Sequence, residues 1–369
     1  MTTNSLTIKL TTLTPLWTGG ADGRSDSGLH ITGIMGSLRW WYEVLVRGIG
    51  GRVCNMNNPC IYDKQKEPYQ GLCDVCRLFG ATGWARRFKL IVREENLHPK
   101  KPSASAIDRS GVFTLSRDHP AAHDPKWYLS SDPLYGDVTL EIIATLPLEV
   151  KEKGKQSSGE EKEEQLLDPK VIGALIQLIA DRGSIGAKPQ MGLGVVRVVD
   201  RQSTQPLLDH LKQLVAKHEY HKDREDYHAY DELPSLHNMF FARVKVDRTS
   251  ASEADTFDLK YDIRDMFRQA FIKDIDLRHT IMGSVHRGDR RGAKIMMSYP
   301  YDNGTIRIWG WIPKLPQDNH PSRSEILDEI YSLLEDIYRD NFSYWLDFNP
   351  NKQGDIMKYL EEHVLKEEQ

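Results

Sequence analysis

Four cysteines, Cys54, Cys60, Cys73 and Cys76, are the only ones in 369 residues and fall within a window of 23. Their spacing is C-x5-C-x12-C-x2-C. Thiolates are soft ligands suited to zinc, and four of them complete a tetrahedral shell with no position left for a reacting water. Such a centre stabilises a fold and does not catalyse. In a reducing compartment a set ending in C-x-x-C reads as zinc more readily than as disulfides. The alternative is a group of free thiols and buried packing cysteines, and the unusual first gap keeps it open.

Two glycine-rich segments, TPLWTGGADGR and SIGAKPQMGLGVVRV, each lie beside a strand-like run. Missing side chains there let backbone N–H groups approach a phosphate or a sugar. Neither is a P-loop: the first lacks the G-K-[ST] ending, and in the second Lys188 precedes the glycines. An ordinary turn is the competing reading for both.

Basic residues gather in two places. Arg39 and Arg47 share a helix face and, with Arg24, Arg52, Arg86 and Arg87, form one candidate surface. RHTIMGSVHRGDRRGAK is denser, placing Arg278, His279, His286, Arg287, Arg290, Arg291 and Lys294 within seventeen residues, as in a loop that tracks a phosphate backbone. A merely solvated face is the alternative. Trp17 and Trp84, flanked by glycine and arginine, are candidates to stack on unpaired bases, whereas Trp40 and Trp41 on the helix read as packing. Paired imidazoles can cleave RNA without a metal, which makes His30, His279 and His286 candidates for that chemistry. The chain has no H-E-x-x-H or G-x-S-x-G motif.

The elements that must position these groups follow from periodicity. Residues 5–13 alternate as a strand, and IMGSLRWWYEVLVRG has the spacing of an amphipathic helix ending at Gly48. Strands are expected over 86–94 and 137–150, and a helix over 168–183 opened by Asp168 and Pro169. VVRVVD closes a strand-helix-strand-strand-helix-strand order, which suggests a ferredoxin-like, RRM-like sheet. Residues 151–165 have no aromatic or branched aliphatic side chain and read as a solvated, mobile loop. A helix at about 205–218 precedes a charged stretch, and a domain boundary is expected near 220–236. Beyond it come a strand at 239–246, a helix around RDMFRQAF, strands near AKIMMSY and TIRIWGWI, and a helix over 322–342, which read as an abbreviated α+β domain.

Composition sets the outer limits. The length fits two domains, and 39% hydrophobic with 28% charged residues is enough for a sizeable core. A net charge of −4 excludes a uniformly basic nucleic-acid coat but leaves room for local basic patches. The run VIGALIQLIA, broken by Gly173 and Gln177, is far shorter than the ~18 residues of a membrane span. With no secretory signal pattern at the start, a cytoplasmic protein without membrane partners is expected.

LTPLWTGGADGR followed by SLRWWYE, then CDVCRLFGATGWARRFKL, IGAKPQMGLGVVRV and RHTIMGSVHRGDRRGAKIMMSYP with WGWIP span both halves of the chain. In these segments the chain resembles the RAMP superfamily of CRISPR effector proteins, and within it the first Cmr subunits of type III-B complexes. The resemblance implies an α+β protein of two ferredoxin-like domains with a basic cleft between them. The chain's own pattern sets these domains at 1–220 and at 237–369, and the zinc-binding insertion expected at about 50–80 departs from a minimal member of the family.

The resemblance further implies a non-catalytic end subunit of an antiviral ribonucleoprotein. Its partners would be CRISPR RNA, target RNA and other RAMP subunits, and it would hold the 3′ part of the guide. By motif, Gly19, Gly20, Arg24, Arg39, Lys188, Gln190, Gly192 and Gly194 would line the RNA path. Related backbone subunits cleave RNA with a loop carboxylate, and Asp22 and Asp26 stand in the first loop, where Asp22 equally suits a turn. The alternative activity is a metal-independent CRISPR repeat endoribonuclease.

Overall fold

The structure, a computed structural model, describes residues 4–20, 28–55, 57–63, 65, 71–100, 132–147, 166–218, 232–249, 251–272, 274–286, 288–315 and 320–366. The expected mobile loop at 151–165 and most of the expected boundary lie outside these residues, as do Arg24, Arg287, Asp22 and Asp26.

Strand β1 (Ser5–Thr12) turns Ile8, Leu10 and Thr12 inward, the consequence of strict alternation. Helix α1 (Ile31–Gly48) starts three residues before the expected pattern and buries Leu38, Trp41, Tyr42 and Leu45. A short helix α2 (Asp74–Phe79), unforeseen in the cysteine window, precedes β2 (Phe88–Pro99) and β3 (Leu134–Ala144). β3 ends before the expected 150, close to Pro147, which has no N–H for a ladder. Helix α3 (Pro169–Arg182) opens as expected, with the Asp168 carboxylate accepting from Lys170 N–H at 2.9 Å. Strand β4 (Val196–Val198) completes a four-stranded antiparallel sheet in the order β2-β3-β1-β4, that of a ferredoxin-like fold. Helix α4 (Gln205–His218) packs on α3.

The second half is a full sheet and not an abbreviated one. Strand β5 (Met239–Lys245) leads into α5 (Glu253–Ala270), which is opened by a capping box of Ser252 and Asp255. Then come α6 (Ile275–Met282), the hairpin β6 (Ser284–His286) and β7 (Asp289–Arg291), β8 (Ile295–Met297) and β9 (Thr305–Trp311). Helix α7 (Arg323–Tyr338) stops short of the expected 342, because β10 (Phe342–Asp347) begins there. The sheet order β10-β5-β9-β8 repeats the pattern of the first.

The layers follow from which faces are apolar. Phe240, Ala242, Val244, Ile306 and Ile308 pack against α5 and α7. The other face of the same sheet, with Phe241, Met296 and Trp309, joins the core of the first half, so α1 and α3 lie between the two sheets. Trp41 stacks on Phe241 at 6.4 Å between ring centroids, and Trp40 meets Trp311 at 6.0 Å.

The carbonyl end of α3 is held by arginines of the second sheet. Arg307 Nη1 donates to the Ala180 and Gly183 carbonyls, both at 2.8 Å, and Arg243 donates to Asp181 O at 2.8 Å. A C-terminal segment with α8 (Pro350–Gln353) and α9 (Ile356–Tyr359) returns to the first half. There Arg182 binds the carbonyls of His363 and Val364, and Thr204 Oγ1 binds that of Leu365.

Candidate metal centre and nucleic-acid interface

The four cysteine Sγ atoms lie within 4.8 Å of one another. Cys54 Sγ and Cys76 Sγ are 3.6 Å apart, and all four cysteines are free thiols. Sulfurs about 2.3 Å from a common zinc stand roughly 3.8 Å from each other, so the cluster has the dimensions of a tetrathiolate site. Backbone N–H groups already point at the sulfurs: Cys73 N–H donates to Cys60 Sγ at 3.2 Å and Cys76 N–H to Cys73 Sγ at 3.4 Å. The second of these bonds starts α2, so the C-x-x-C spacing and the helix are one device. The buried Asp74 carboxylate accepts Arg52 N–H at 2.7 Å, tying the segment before Cys54 to α2. Contact with Cys73 and burial push the Cys54 thiol up to about 12. A cation among the sulfurs is what would let such crowded thiols ionise together.

Arg39 belongs to this centre. Its Nη2 donates to Cys76 Sγ at 3.1 Å, its Nη1 to Gly80 O at 3.1 Å and its Nε to Glu43 at 3.0 Å. Among the described residues, Arg47, Arg52 and Arg87 do not join it in the expected basic surface. Arg47 is buried and donates to Pro234 O, Arg52 donates to Leu72 O, and Arg87 lies 3.5 Å over the Trp84 ring. Trp84 is buried as well, against Tyr62.

The second glycine-rich segment is a joint between the halves. Ser37 Oγ of α1 both accepts Gly186 N–H at 2.8 Å and donates to Gly186 O at 3.1 Å. Gly194 has φ +88° and its N–H reaches Pro15 O, while any Cβ there would run into the Ile185 carbonyl. Gly192 lies against the Tyr299 ring, and its carbonyl accepts Tyr299 N–H. Gln190 O accepts Lys260 Nζ of α5 at 3.0 Å. Trp17 is buried with Met191, Leu193, Phe257 and Tyr299, and Lys188 Nζ sits 4.6 Å over its ring. That position leaves the Trp17 ring packed between elements. Gly19 and Gly20 are half-buried.

The expected phosphate-tracking loop is instead the end of α6 and the β6-β7 hairpin. Arg290 is exposed there, but Arg291 is paired with Asp276 at 2.8 Å and Asp289 at 2.7 Å, and Lys294 donates to Thr280 O. Burial, then the nearby Arg268, lowers the pKa of Arg278. Arg264, which lacked any local sequence signal, joins this crowd of like charges. His279 faces Asp289 at 3.8 Å, whereas His30 is the N-cap residue of α1, where its side chain makes no capping bond and its backbone N–H donates to Thr18 Oγ1. The two histidines therefore sit on different halves of the fold, and the His286 side chain lies outside the description.

The row Glu95, Asp137, Thr11 and Arg197 crosses the outward face of the first sheet. This row leads to a cavity of about 530 Å³ between the sheets, lined by Arg197, Arg201, Arg243, Lys245 and Arg307 against Asp181 and Asp302. Arg201 pairs with Asp181 at 2.8 Å, Arg197 pairs with Asp302, and Lys245 is exposed. Five cations against two carboxylates leave an electropositive cleft. None of the five carried a sequence signal, since they come from four separate strands and loops.

Two ferredoxin-like sheets with a cationic cleft between them, a glycine-rich joint and a four-cysteine cluster define the class of this protein. The RAMP superfamily model matches residues 9–197, half of the chain, and the chain belongs to that superfamily. No curated protein matches it in sequence. Among solved structures it is similar to the apo crystal structure of Cmr1 from Pyrococcus furiosus, with 14% identity, a TM-score of 0.45, and coverage of 89% of this chain and 97% of that one. It is also similar to a chain of the type III-B Cmr-beta complex bound to cognate target RNA, with 13% identity, a TM-score of 0.39, and coverage of 89% and 99%.

Proposed function

We propose that this protein is a non-catalytic, RNA-binding end subunit of a type III-B CRISPR effector complex, holding the 3′ part of the CRISPR RNA and helping to capture target RNA. The carrying observation is the RAMP superfamily match over the half that contains the glycine-rich joint, set beside a cleft with five cations and two carboxylates. In this reading the cleft and the exposed Arg290 neutralise phosphates, and neighbouring RAMP subunits cover part of the remaining surface. The halves on either side of 220–236 act as two domains. Zinc held by Cys54, Cys60, Cys73 and Cys76 is structural, since four thiolates leave no ligand position for water. No helix among the described residues is long and apolar enough to cross a membrane.

The test is single-stranded RNA binding by the purified chain at several salt concentrations, with the RNA recovered and checked for cuts. Tight, salt-sensitive binding of intact RNA is expected. Replacing Arg197, Arg201 and Lys245 together by alanine is expected to weaken binding and flatten its salt dependence. Unchanged affinity and slope would remove the cleft from the RNA path. Chelator-insensitive cutting would turn the reading to the repeat endoribonuclease.

A further inference from the structure

The geometry points to Arg39 as the positioning residue of the four-cysteine centre: its guanidinium is the counter-charge of a zinc tetrathiolate and clamps Cys76 in place. This inference rests on the zinc reading above. Zinc with four thiolates carries a net charge of about −2, and such a centre needs N–H donors around its sulfurs when it is partly buried. The backbone supplies neutral donors to Cys60 and Cys73. Arg39 supplies a cationic one to Cys76, at 3.1 Å.

The geometry is that of a fork and not of a chance contact. The same guanidinium binds Cys76 Sγ near the start of α2 and Gly80 O at its end, so it fixes the helix along its length. Its third side is held by Glu43 one turn further along α1. Glu43 in turn binds Arg47 at 3.0 Å, and Arg47 donates to Pro234 O at 2.9 Å. A ladder of side chains on α1 thus runs from the cysteine centre to the segment that enters the second sheet. A planar, five-donor guanidinium can make all three contacts at once, and a lysine ammonium cannot match that fork.

The experiment uses the full chain, wild type and Arg39→Met or Arg39→Lys, with zinc affinity measured by chelator competition. The thiolate-to-metal charge-transfer band is then read after cobalt(II) replaces zinc. Wild type is expected to bind one zinc. Arg39→Met is expected to bind it about ten- to a hundredfold more weakly and, with a donor removed from sulfur, to move the band to longer wavelength. Arg39→Lys, which keeps charge without the fork, should fall between. An Arg39→Met protein with zinc affinity within twofold of wild type and an unmoved band overturns the inference alone. Wild type that takes up neither metal overturns the zinc reading and this inference together. Should Arg39→Met not fold, Arg39→Lys carries the test, because it keeps the charge and loses the fork: weaker zinc binding with a band at longer wavelength supports the clamp, and an unchanged band and affinity overturn it.

Discussion

Lys260 of α5 donates its Nζ to the Gln190 carbonyl at 3.0 Å, placing a lysine of the second half against the glycine-rich joint of the first. Burial, reinforced by the nearby Arg264, lowers its pKa from the ordinary 10.5 to about 7. Because the folded value lies below the unfolded one, the unfolded chain binds a proton that the folded chain does not at every pH between them. Stability therefore rises with pH across that window, by up to about 1.4 kcal/mol per pH unit from this group, and levels off below about 7. Denaturant unfolding of wild type and Lys260→Met at pH 7, 8.5 and 10 should show wild type gaining on the variant as pH rises. Parallel curves would contradict this.

Gly183 closes α3 directly beneath Trp41, and a Cβ there would collide with the indole ring. The same indole stacks on Phe241, so one added methyl disturbs the contact between the halves. Gly183→Ala is expected to cost about 1–3 kcal/mol, and Trp41→Ala about 3–5 kcal/mol. Thermal unfolding of the two variants and their double mutant checks this, and the double mutant should cost less than the sum, because removing the indole relieves the clash.

How much of this was legible in the sequence depended on the range of the signal. The start of α3 was readable because Asp168 and Pro169 act on their own helix, and the first sheet because its order follows from alternating strands and helices. β10 was missed because only a short 3-10 turn separates it from α7, so the helical pattern ran on into Phe342. The cysteine cluster was legible from its spacing, but Arg39 was not legible as part of it: on a helix surface it resembles any solvated arginine, and Cys76 lies 37 residues away. Arg197, Arg243 and Arg307 share no spacing at all. They meet only because the second sheet packs on α1 and α3.

Arg307 is buried and holds two carbonyls at the end of α3. Arg307→Met keeps most of the packing but leaves those acceptors without the charged donor, at a cost of about 1.5–3 kcal/mol for a charge-assisted bond. Hydrogen exchange should quicken at the C-terminal turn of α3 and in β9, while β2 and β3 stay protected. A uniform loss of protection would mean that Arg307 supports the whole fold and not this helix end.

Removing zinc tests how far the cysteine centre holds its surroundings. Free energy of metal binding is folding free energy when the unfolded chain lacks the site, so free zinc at a hundredfold its Kd stabilises by about 2.7 kcal/mol. α2 has six residues, too few to persist on hydrogen bonds alone, and its first turn begins at Cys73. Chelation is therefore expected to lower the Tm and to open residues 51–55, 57–63 and 71–84 to hydrogen exchange, with α3 and the β1–β3 pairing unaffected until global unfolding. A serine at Cys73 should reproduce the chelated state and make the Tm insensitive to added zinc. If zinc leaves the Tm and the exchange of α2 unchanged in the wild type, the four thiols are packing residues and Arg39 is tied to sulfur for shape alone.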